Sequence, residues 1–181
     1  MVRNESWFFL PAIIIPAVMA TPAFAVQYLS LEQAQKTLFP SAEQFEPVSI
    51  LLTAEQRRAI ESNSGVKVRV NEIKAWRAKQ GGKATGWFLL DEVIGKHELI
   101  TYAVAIAVDG TVQGVEILDY RESHGGAVRS AKWRAQFTGK KANSPVQLDD
   151  DIKNLSGATL SSLHLTEGVR RLLATHQAAL K

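Results

Sequence analysis

The sequence predicts an α+β domain, an antiparallel β-meander packed with helices and preceded by a short helical extension. Three observations carry that expectation. From residue 66 the period changes to two, with apolar and polar residues alternating at 66–70 and 111–120 and two strand-like segments between them, separated by turn residues. Asp109-Gly110 separates two such segments, where a hairpin needs residues that tolerate positive φ. After residue 126 the period lengthens, and in the closing segment Val169, Leu172, Leu173 and His176 share one helical face.

Taken in order, residues 1–25 read as a secretory signal peptide. A polar start with Arg3 leads into the apolar run 8–20, and Ala23 and Ala25 form an A-x-A cleavage site after Ala25. The run is shorter than the roughly 20 residues a membrane span needs, and Pro11 and Pro16 interrupt it. The mature chain is then expected to be periplasmic, beginning at Val26. Residues 26–65 form the helical N-terminal extension. Ser30 with Gln33 and Thr53 with Gln56 make capping boxes for helices over 30–39 and 53–62. Residues 66–181 form the main domain. Strands are expected over 66–70, with a less regular continuation to Trp76, and over 84–94, 99–108 and 111–120, with turns at Gln80–Lys83 and Gly95–Glu98. A loop over 121–126, a helix over 127–137 and a second loop lead to residues 156–162, which read SGATLSS, and to the last helix.

Composition excludes several chemistries. The 181 residues include no Cys, so haem attachment at C-x-x-C-H, Cys-ligated iron–sulfur clusters, a Cys nucleophile and a lipidated Cys all fall away. The net charge of +3 comes from interleaved basic and acidic residues, without the basic stripe of a nucleic-acid binder. No G-x-S-x-G elbow occurs. The four His residues lack metal-site spacing, so no metal is expected.

SGATLSS, just before the last helix, leaves two readings open. Ser161 or Ser162 caps the helix. Alternatively, small residues and hydroxyls at a helix start hold a phosphate, because unpaired N–H groups and the positive dipole end favour an anion there.

Ser156-Gly157-Ala158-Thr159-Leu160-Ser161 resembles the S/T-G-A-T/S-x-S/T signature of the bacterial FMN-binding domain family, which includes flavinylated subunits of sodium-pumping NADH:quinone reductase and Rnf complexes. The loop Glu122-Ser123-His124-Gly125-Gly126 is similar to the family's E-T-P-G-x-G loop, with Ser123-His124 in place of Thr-Pro. Trp133 and Phe137 follow it, as aromatic residues do in the family. Lys153 stands where the family usually has Asp, and the nearest acid is Asp151.

The resemblance implies FMN joined by a phosphoester bond to Thr159, with Ser156, Gly157, Ala158, Leu160 and Ser161 around it. It implies a loop from Glu122 through Ser123, His124, Gly125 and Gly126 close to the flavin ring, with Trp133 packing on or near it. A flavin transferase would make the bond from FAD and magnesium. The chain would then be a periplasmic electron carrier, relaying electrons between a membrane redox complex and an acceptor such as a cytochrome, or serving a quinone-linked complex. Two alternatives stay open: a flavin-dependent reductase of a small substrate, and a flavin-free binding module of the same fold.

Overall fold

The computed structural model describes residues 26–122 and 124–180. The expected signal peptide, residues 1–25, and Ser123 lie outside the described residues. The chain runs β1 (Val26–Gln27), α1 (Leu31–Leu38), β2 (Gln44–Leu51), α2 (Ala54–Ser64), β3 (Glu72–Gln80), β4 (Lys83–Ile94), β5 (Leu99–Ala107), β6 (Val112–Tyr120), α3 (Ala131–Arg134) and α4 (Thr159–Ala179). All strand pairs are antiparallel, in the order β1-β6-β5-β4-β3-β2. The predicted α+β class and meander are therefore present.

Both capping boxes form. The Ser30 hydroxyl accepts from the Gln33 amide, and the Gln33 side chain accepts from the Ser30 amide. Thr53 and Gln56 repeat the exchange, so two N–H groups at each helix start are satisfied locally. At the β5–β6 hairpin, Asp109 accepts from the Thr111 amide at 3.0 Å and its hydroxyl at 2.8 Å.

Alternation along the central strands sends side chains to two cores. Trp87, Leu89, Tyr102, Val104 and Ile106 join Leu165, Val169, Leu172 and Leu173 of α4 on one face. Phe88, Ala103 and Ala105 join Ala34 of α1 and Phe39 on the other. A third cluster, Ile60, Val68 and Ala174, ties α2 to α4.

Three elements differ from expectation. Residues 26–65 contribute two edge strands as well as two helices: β2 pairs along the whole of its length with β3, and β1 pairs with β6. Residues 66–70 are not a strand but an irregular connection. There Val68 is buried against α2 and α4 while its neighbours face out, so their alternation reflects one anchoring side chain rather than a ladder. The segment 127–137 is not one helix. It breaks at Ser130 (ψ 124°) into a 3₁₀ turn Gly126–Arg129, the single turn α3 and a further 3₁₀ turn Ala135–Phe137.

Candidate functional site

α4 begins at Thr159, and its N-cap is Ala158, which supplies no side-chain cap. The helix start is therefore three residues earlier than a Ser161 cap requires and four earlier than a Ser162 cap requires, and both serines are buried inside the first turn. The Ser162 hydroxyl donates to the Ala158 carbonyl at 2.9 Å, and Ser161 Oγ lies 3.4 Å from the Tyr120 hydroxyl. The cap reading is thus overturned. What remains is a helix of 21 residues whose first turn offers backbone N–H groups and no side-chain acceptor. Thr159, Ser156 and Gly157 are exposed, as is Leu160.

The two motifs meet. Gly125 has φ 79°, and a Cβ there would lie 2.8 Å from the Tyr120 hydroxyl, 3.3 Å from Ser161 Oγ and 3.5 Å from Ala158 Cα. The Tyr120 hydroxyl donates to the His124 carbonyl. Tyr120, His124 and Gly125 are thereby packed with Ala158 and Ser161, although about thirty residues separate the two motifs in sequence. Protein atoms therefore fill the space that a side chain at Gly125 would take. His124 is exposed, and a Cβ on Gly126 would meet only the Arg129 side chain.

Glu122 does not point outward from this loop. Its carboxylate accepts from the backbone amides of Lys96, His97 and Glu98, closing the β4–β5 turn. Burial opposes its charge, but the three amides outweigh that and hold its pKa below the ordinary value of 4.5. Because the folded value is depressed, this stabilisation is present above the unfolded pKa and disappears as pH falls through the folded one. Glu122→Gln keeps the shape but replaces charge-assisted bonds with neutral ones. Amide exchange at residues 96–98 is expected to quicken about tenfold. Hydrogen-exchange NMR at neutral pH measures this, and unchanged protection would remove Glu122 from the turn.

Trp133 is also relocated. It is 4% exposed, stacks edge-on against Phe137 at 5.2 Å, and donates its indole N–H to the Lys153 carbonyl at 2.7 Å. With its ring in the core, it steadies the stretch of chain leading into Ser156 instead of offering a face to a ligand. Lys153 is exposed, and its amide donates to Gln136 at 2.9 Å. Asp151 does not stand in for an acid at that position. Its carboxylate binds the Lys140 ammonium at 2.8 Å and the amides of Val146 and Gln147.

His164 is not among the site residues expected from sequence, yet its Nδ1 lies against the carbonyls of Ile94 and Gly95 (3.1 Å to Gly95). Its position one turn beyond Leu160 was the available signal. Among the described residues, no group of three or more His, Asp or Glu gathers to hold a metal, and no helix is long and apolar enough to cross a membrane.

These features fit a phosphate-bearing group: an exposed hydroxyl on the first residue of an uncapped helix, flanked by small residues. Comparison with known proteins agrees. The FMN-binding domain family matches residues 95–174. The chain is 26% identical to a component of the Na(+)-translocating ferredoxin:NAD(+) oxidoreductase complex of Acetobacterium woodii, covering 80% of this chain and 72% of that protein. It is 31% identical to a component of the Na(+)-translocating NADH-quinone reductase of Vibrio vulnificus, over 63% of this chain. It spans about half (49%) of that relative's length. A crystal structure of Shewanella oneidensis NqrC is similar at 18% identity and a TM-score of 0.47, covering 78% of this chain and 80% of that one. The match to the FMN-binding domain family thus takes in Thr159 and the start of α4.

Proposed function

We propose that this chain is an exported flavoprotein electron carrier with FMN esterified to Thr159. The observation that carries the reading is Thr159 itself, exposed as the first residue of an uncapped helix within Ser156–Ser161. When bound, FMN supplies the uptake and release of electrons. The chain's own residues anchor and orient. Thr159 Oγ1 gives up its proton and bonds the phosphorus of the FMN half of FAD, with AMP leaving. A flavin transferase with magnesium would carry out that exchange in the periplasm. The N–H groups of the first turn of α4 would hold the phosphate and offset its charge. Gly125, Ala158 and Ser161 lock the neighbouring loop, and Trp133 holds the Lys153 carbonyl, so the attachment loop keeps one shape.

The similarity to components of two sodium-translocating redox complexes supports a membrane redox complex as electron donor or acceptor. A periplasmic cytochrome suits the other side of the relay. No nucleophile–base pair emerges among the described residues of the site, which favours relay over bond-making on a substrate.

The protein is expected, after co-expression with a flavin transferase, to gain the mass of one FMN less one water. Thr159→Ala loses the gain completely, while Ser156→Ala keeps it, as intact-mass spectrometry reads directly. A yellow Thr159→Ala protein with an unchanged gain would overturn the assignment. A colourless, unmodified wild type would favour a flavin-free module.

A further inference from the structure

The N-terminal strand reaches the attachment loop through one arginine. Val26 and Gln27 of β1 pair with Tyr120 and Asp119 at the end of β6. Just beyond, the Tyr28 amide donates to the Leu118 carbonyl at 2.9 Å, and the Leu29 amide shares that acceptor at 3.3 Å. The Tyr28 ring is thereby held beside the 3₁₀ turn Gly126–Arg129, and the Arg129 guanidinium lies over it, 4.3 Å from the ring centroid. The same guanidinium is 5.7 Å from the Tyr120 ring centroid. Arg129 Nε donates to the Gly126 carbonyl at 3.2 Å, and a Cβ on Gly126 would come within 2.7 Å of another Arg129 nitrogen. A cation is attracted to the faces of both rings, and the missing side chain at Gly126 leaves it room to lie there. What fixes this exposed cation is thus two tyrosine rings and a carbonyl.

We propose that Tyr28 and Arg129 form a clasp that positions the attachment loop for the flavin transferase. The proposal rests on FMN attachment to Thr159 and adds the N-terminal segment of this chain to that reading. The path from the clasp to Thr159 is short. Arg129 grips Gly126 and covers Tyr120. Tyr120 donates to the His124 carbonyl and lies 3.4 Å from Ser161 Oγ. Ser161 stands two residues after Thr159 in the first turn of α4. Tyr28 is 38% exposed and Arg129 is exposed, so core packing does not account for their contact. Tyr28 also lies outside residues 95–174, the stretch that matches the FMN-binding domain family, so half of the clasp comes from this chain's own N-terminal part. Tyr28 and Arg129 are positioning residues. A loop that samples several shapes reacts in proportion to the fraction in the shape its transferase accepts. An exposed cation–π contact shifts such an equilibrium by about two- to fivefold.

The test follows FMN incorporation into the full chain by intact mass over time, with purified flavin transferase, FAD and magnesium. Both positions are exposed, so the variants retain the fold, as circular dichroism checks. Tyr28→Ala is expected to slow the initial rate about threefold while reaching the wild-type final mass. Tyr28→Phe keeps the ring face and is expected to keep the wild-type rate. Arg129→Gln removes the cation and is expected to be slow by itself. Adding Tyr28→Ala to Arg129→Gln is expected to cost nothing further, because the two residues act through one contact. A tyrosine acting only through stability would cost as much in that background as in the wild type. Tyr28→Ala at the wild-type rate, Tyr28→Phe as slow as Tyr28→Ala, or additive losses in the double variant would each overturn the clasp alone. A wild type that gains no FMN would overturn the attachment and the clasp with it.

Discussion

Asp91→Ala is expected to destabilise the fold by about 3 kcal/mol, the low end of the cost of orphaning a buried charge. Asp91 Oδ2 accepts from the Tyr102 hydroxyl at 2.6 Å and pairs with the Arg171 guanidinium. Tyr102 is wholly buried, and the side chains of Asp91 and Arg171 are 13% and 14% exposed. Burial pushes the Tyr102 phenol well above its ordinary pKa, and the Asp91 charge adds to that. Burial works against the Arg171 charge, yet Asp91 more than compensates and raises its pKa. Without Asp91, both a guanidinium and a phenol are left in a site with little water. A cavity beside them admits some, which sets the estimate at the low end. Urea unfolding reads the loss as a lower midpoint at unchanged slope. A loss below about 1 kcal/mol would mean that Arg171 is solvated, as exposed ion pairs are.

Gly168→Ala approaches the same tyrosine from the helix. A Cβ at Gly168 would lie 2.2 Å from the Tyr102 oxygen, 2.9 Å from its Cζ and 3.1 Å from a Val93 methyl. Helix propensity alone favours alanine by about 1 kcal/mol. Overpacking opposes it by about 1–3 kcal/mol and wins here, because Asp91 holds the wholly buried ring in place. A net loss of about 2 kcal/mol corresponds to roughly 4–8 °C in Tm for a chain of this size. Tyr102→Phe removes the closest clashing atom, so the double variant loses less than the two single changes summed. A raised Tm for Gly168→Ala, or strict additivity, would contradict the packing.

The contrast between what can and cannot be read from sequence is physical. β4 and β5 announce themselves as apolar runs bounded by turn residues and β6 as an alternating run after a hairpin turn, and the capping boxes mark α1 and α2 through contacts spanning three residues. β2 is hidden by Pro47, which reads against a strand yet is tolerated at a sheet edge. Residues 66–70 mislead in the opposite direction, since one buried valine imitates a ladder. At the site, the attachment loop is visible as a string of residue types. The partners that shape it are not, because they come from distant segments: Glu122 reaches the turn at residues 96–98, Trp133 reaches Lys153, and Gly125 touches Ala158 and Ser161. Local patterns carry no signal for such meetings, so glycine and aromatic residues near the motif read as facing a ligand when they face protein.

The most direct test of the central claim is the fragment mass spectrum of the tryptic peptide Asn154–Arg170 from protein matured with a flavin transferase. That peptide holds Ser156, Thr159, Ser161, Ser162 and Thr166 together. One FMN is expected, placed by the fragments on Thr159 alone. FMN on Ser156, whose exposed hydroxyl precedes the helix, would contradict it, and so would a peptide without FMN.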